Sequence, residues 1–105
     1  MDSGSYRVII PMNEHNLTRK IIAELKATPV AWYYKTHGGG MTRAGVPDII
    51  ACYRGVFVGI EIKAEGNYPT KLQLHELEQI RSAGGVAGVV YSVEDVRELL
   101  KESVE

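Results

Sequence analysis

Arg54-Gly55, set between two runs rich in β-branched and aromatic residues, constrains this chain more than any other feature. Such a dipeptide between apolar runs closes a tight antiparallel hairpin, and the loop length then fixes the register. Strands are expected over about 47–53 and 56–63. If Tyr53 pairs with Val56, Asp48 falls directly across from Glu61 with both side chains on one face. A loop of four residues centred on the same dipeptide keeps that register, whereas three without a bulge would break it.

The second strand alternates accordingly. Val58, Ile60 and Ile62 are expected to point into a core, and Phe57, Gly59, Glu61 and Lys63 to point the other way. Asp48, Glu61 and Lys63 thus form an acid–acid–cation cluster. Like charges directly opposite destabilise a sheet, so something must offset them, and a divalent cation held by both carboxylates is a natural candidate. Gly59 on that face is expected to let a ligand backbone approach closely.

The rest of the chain frames this hairpin. A helix is expected over about 13–27, with Asn13 as N-cap and Leu17, Ile21, Ile22 and Leu25 at helical spacing. Glu14 falls near the middle of that stripe. There it is either a site acid or an acid favoured in the first turn by the helix dipole. Residues 30–36 read as a strand, with Trp32, Tyr33 and Tyr34 expected in the sheet core and at a dimer contact. Gly38–Gly45 reads as a loop, with His37 beside it at the surface. Gly66–Pro69 is a turn, and Thr70 with Gln73 forms a capping box for a helix to about residue 83, closed by Gly84-Gly85. A strand over 86–91 follows, then a helix opened by Ser92 and Asp95. The order predicts a mixed α/β fold: a four-stranded sheet flanked by helices.

Composition bounds what such a fold can do. The chain has 105 residues, enough for a single domain over 1–105 with residues 1–12 as an N-terminal arm containing a short extended piece over 6–10. Twelve basic against thirteen acidic residues give a net charge of −1, which argues against a passive, charge-driven nucleic-acid coat. Cys52 is the only cysteine, so there is no intramolecular disulfide or Cys-x-x-Cys zinc site, and its apolar flanks suggest a buried structural thiol. His15 and His75 have no metal-ligand spacing, and no nucleophilic-hydrolase motif is present. With no signal peptide or apolar run long enough to span a membrane, the expected setting is the cytoplasm, including that of a phage-infected host cell.

Gly45-Val46-Pro47-Asp48, followed after twelve residues by Glu61-Ile62-Lys63, resembles the motif of the PD-(D/E)XK nucleases. The glycine before Pro-Asp, the run Ile60–Lys63 and the downstream Gln73 resemble the VRR-NUC branch in particular, over roughly residues 14–91. The resemblance implies a restriction-endonuclease-like core and a metal-dependent endodeoxyribonuclease. In it Asp48, Glu61 and the Ile62 carbonyl hold Mg²⁺ or Mn²⁺, and Lys63 orients or activates the attacking water. Gln73 shapes the site or contacts the scissile strand, and Glu14 is the helix acid, counted among the metal ligands. Stand-alone members resemble Holliday-junction resolvases, which implies a homodimer acting on branched DNA. Because the chain is slightly acidic, its DNA contacts are expected to be local, at Lys35, Arg43, Arg54 and Lys71. Rival expectations are a non-catalytic nucleic-acid-binding module on the same fold, or a partner-interaction protein whose acidic pair is a solvated face.

Overall fold

The computed structural model describes residues 12–29, 31–36 and 43–105. The elements are α1 (Glu14–Ala27), β1 (Ala31–Lys35), β2 (Ile49–Tyr53), β3 (Val56–Ile62), α2 (Lys71–Ser82), β4 (Val86–Val90) and α3 (Val93–Ser103). The expected order of elements is the observed one. The N-terminal arm, His37 and most of the expected glycine-rich loop lie outside the described residues.

Local chemistry sets the element ends. The Asn13 side chain caps α1 by accepting the Asn16 N–H, and the reciprocal Thr70–Gln73 box opens α2. The Ser92 hydroxyl accepts the Asp95 N–H at the start of α3. At the hairpin, Arg54 and Gly55 both take positive φ, 52° and 85°, as a two-residue turn matched to strand twist requires.

The four strands form one sheet in the order β1-β2-β3-β4. β1 and β2 are antiparallel, as are β2 and β3, while β4 joins parallel to β3 after the α2 crossover. Tyr53 pairs with Val56 and Ile49 with Ile60. One step further, this register sets Asp48 opposite Glu61.

One face of the sheet is covered by α1 and α3. Val58, Ile60 and Ile62 are fully buried there with Leu17, Ile21, Leu25, Val96 and Leu100. The other face is covered only in part, because α2 packs against β3 and β4. Two expectations fail for this reason. Trp32 and Tyr34 are 59% and 54% exposed, and only Tyr33, which alternates to the α1–α3 side, packs on the core. Cys52 is half-buried rather than enclosed, since it lies between Trp32 and Phe57 on the uncovered part of the sheet.

Candidate active site

The acidic pair sits where β2 begins and β3 ends. Thr36, just past β1, donates its N–H to the Asp48 carbonyl (2.9 Å) and its hydroxyl to the Pro47 carbonyl. The strand pairing thereby continues beyond β2 and fixes the Asp48 backbone. Asp48 Oδ2 in turn accepts the Ile62 N–H at 2.8 Å. That N–H faces the side on which β2 has run out, so the carboxylate replaces the missing ladder acceptor. One backbone donor is satisfied and one side chain is aimed.

Glu61 is placed by burial. It lies on a strand flanked on both sides and is 2% exposed, the sole polar or charged residue in the core among the described residues. Its Oε1 is buried without a hydrogen-bond partner. Its Oε2 lies 3.9 Å from Lys63 Nζ. Lys63 is itself anchored, because its N–H donates to the Val90 carbonyl at 3.1 Å and extends the β3–β4 ladder. Burial pushes the Glu61 carboxyl up to about 8. The neighbouring Asp48 adds to this through its charge and through the hydrogen bond between the two carboxyls, Lys63 opposes it, and Glu14 contributes last.

A divalent cation fits this arrangement. An orphaned oxygen on a buried carboxylate costs free energy, two adjacent carboxylates repel, and both are the hard oxygen donors that Mg²⁺ or Mn²⁺ takes. Among the described residues no group of three or more His, Cys, Asp or Glu side chains is placed to hold a metal ion. Two side-chain ligands would therefore be completed by backbone carbonyl and water.

The other candidates are distributed unevenly. Glu14 is exposed rather than buried. Its angular position does match the apolar stripe, but it lines an open cavity of about 290 Å³ with His15, Thr18, Lys35 and Asp48. Glu14 thus shares a wall with the site without joining a ligand set. The Gln73 carbonyl oxygen accepts the Thr70 N–H at 2.8 Å, so the cap engages that end and leaves the NH₂ for a ligand. Gly59 does not serve ligand approach. A Cβ there would meet Ile80 Cδ1 at 2.7 Å and Pro47 Cγ at 3.2 Å, so this glycine lets α2 and the lead-in to Asp48 close over β3.

Of the expected DNA contacts, only Lys35 lines the cavity of Asp48. Arg43 is exposed and pairs with Glu76 of α2 at 2.6 Å, and Lys71 opens α2. Arg54 lies at the hairpin tip against the Tyr53 ring, at the opposite end of β2 and about 20 Å along the strand from Asp48. Thr36 was not visible as a site residue from sequence, because its role depends on where β1 meets β2. The close fit of Gly45 against Leu72 was equally hidden, with an added Cβ only 2.7 Å from Leu72 Cγ.

The family profile described as archaeal Holliday junction resolvase (Hjc) matches residues 15–96. A solved structure named "VRR_NUC domain" superimposes with a TM-score of 0.67 at 29% identity, covering 84% of this chain and 94% of that one. Another, "VRR_NUC domain protein", gives a TM-score of 0.70 at 20% identity and covers 90% of each chain, a likeness of fold. No curated protein matches the sequence. Among the described residues no helix is long and apolar enough to cross a membrane.

Proposed function

The chain belongs to the archaeal Holliday junction resolvase family, and from that premise we propose that it is a metal-dependent endonuclease that hydrolyses phosphodiester bonds in branched DNA such as Holliday junctions. The observation that carries this reading is Glu61: a buried carboxylate with an orphaned oxygen, beside Asp48 and within reach of Lys63.

Asp48, Glu61 and the Ile62 backbone carbonyl are the groups that would hold Mg²⁺ or Mn²⁺. That carbonyl lies on the same edge of β3 as the Ile62 N–H, where β2 has ended. When bound, the ion supplies Lewis-acid polarisation of the phosphoryl group and makes water more acidic. The chain supplies the remainder. Lys63 is held in place by its backbone and by Glu61, and so presents a fixed cation where negative charge accumulates during attack. Asp48 is held in place through Oδ2. Gln73, whose oxygen is taken by the cap, would offer its NH₂ to the scissile strand, and Lys35 would meet phosphate from the cavity wall. Glu14, across that cavity, acts through water rather than as a direct ligand. A homodimer would set two such sites on opposite strands of a branched substrate.

The test is cleavage of a labelled four-way junction beside its matching linear duplex, with Mg²⁺, Mn²⁺ or EDTA. Junction cleavage should require metal and fall at least about 100-fold in Asp48→Ala and in Lys63→Ala, with the fold retained. Equal cutting of both substrates would keep the nuclease and discard the branch selectivity. Metal binding and DNA binding without any cleavage would favour a non-catalytic module on the same fold.

A further inference from the structure

The outward face of α1 carries charge that the catalytic reading does not use. Among the described residues, ion pairs engage Arg43, Lys63, Arg81 and Arg97, while Arg19, Lys20 and Lys26 of α1 enter none. All three are exposed. The acid nearest them on the helix, Glu24, is withdrawn by two hydrogen bonds to Arg97 of α3, at 2.9 and 3.0 Å. Arg19 and Lys20 flank an open groove of about 480 Å³ with Met12, Asn16 and Ala23. Ala23, a small side chain, lies between the two cations on the helical wheel and leaves room for a ligand.

The groove and the proposed site are lined by different residues of the same helix. His15 and Thr18 line the cavity of Asp48, and Arg19 is the next residue along and one turn beyond His15. Along the axis the spacing is about 6 Å from His15 to Arg19 and about 10 Å more to Lys26, a span comparable to a few nucleotides of one DNA strand. The opposite situation holds on α3, where Asp95, Glu98, Glu102 and Glu105 line a groove of about 530 Å³ with one lysine, Lys101. The two grooves therefore differ in the sign of their charge.

We propose that the groove between Arg19 and Lys20 on α1 is a phosphate-backbone track that seats a duplex arm of the DNA leading away from the Asp48–Glu61 site. The inference rests on the nuclease reading and deepens it. The contacts are electrostatic and sequence-independent, made to phosphates rather than base edges. They select no cleavage position and contribute no catalytic group.

The test is fluorescence anisotropy of labelled junction and linear duplex in EDTA, so that binding is read without cleavage, across a salt series. The double variant Arg19→Ala/Lys20→Ala should weaken binding roughly tenfold on both DNAs and reduce the slope of log K against log salt by about 2. Lys101→Ala on the acidic side should leave both quantities unchanged, and circular dichroism should show each variant folded. If the double variant binds like wild type with the same salt slope, the track is overturned and the active-site proposal stands. If wild type binds neither DNA at any salt concentration, the nuclease reading falls and takes the track with it.

Discussion

The two faces of β3 are built from the same strand, one residue apart, yet they do opposite things for the protein. Val58, Ile60 and Ile62 face α1 and α3 and are fully buried among aliphatic side chains. Phe57, Gly59 and Glu61 face the other way: one is exposed, one lacks a side chain so that Ile80 can close on it, and one is a buried acid with an orphaned oxygen. The first face stabilises the fold by removing apolar surface from water. The second gives up part of that stabilisation. The difference teaches where function sits on this sheet, because a buried carboxylate is a cost that a bound cation offsets in place of a proton.

The largest expected effect on stability comes from the aliphatic face. Ile60→Ala should lower unfolding stability by about 2–5 kcal/mol, as a fully buried side chain is replaced by a cavity. Urea denaturation measures this directly. A loss below about 1 kcal/mol would mean that the core collapses around the gap and that the contrast between the faces is weaker than described.

Glu61 should behave in the reverse sense. Its carboxyl is raised from 4.5 to about 8 by burial and Asp48, so between those values the folded protein binds a proton that the unfolded chain does not. The stabilising contribution of this group is then complete below about pH 4.5 and is lost as pH rises through about 8. Across that window the metal-free protein should lose up to about 1.4 kcal/mol per pH unit from this group. Glu61→Gln removes the term and should be the more stable protein at pH 9 while failing to cleave DNA. Thermal unfolding across pH, in EDTA, compares the two. A wild type that matched the variant at every pH would show that the acid is not strained by its burial.

A smaller effect is expected at Gly59, where the two faces meet α2. Gly59→Ala should cost about 1–2 kcal/mol, because the added methyl forces Ile80 and Pro47 aside. Since Pro47 precedes Asp48, cleavage should also slow beyond what the stability loss explains. Single-turnover rates on folded variant protein separate the two contributions.

How much of this was legible in the sequence depended on how local the cause was. The hairpin register followed from Arg54-Gly55, and with it the opposition of Asp48 and Glu61. The caps at Asn13, Thr70 and Ser92 followed because their hydrogen bonds span only a few residues. What failed was decided by distant segments. Gly59 was expected to admit a ligand, but α2, arriving from further along the chain, occupies that space. Helical spacing put Glu14 on the apolar stripe without revealing that the cavity between α1, Lys35 and Asp48 is open there. Trp32 and Tyr34 had strand composition, yet their exposure depends on how far α2 extends across the sheet. The charge track on α1 was hidden for a similar reason: Glu24 looks like a compensating acid until Arg97 of α3 takes it away.

The most direct measurement of the central claim, that Asp48 and Glu61 form a cation site, is thermal unfolding with and without millimolar Mg²⁺ or Mn²⁺ at pH 6 and pH 9. Wild type should be stabilised by the metal, more at pH 9 than at pH 6, since the ion displaces the proton from Glu61. Glu61→Gln should show little or no metal-induced shift at either pH. An equal metal-induced shift in wild type and variant, or none in wild type at pH 9 with either ion, would contradict the account.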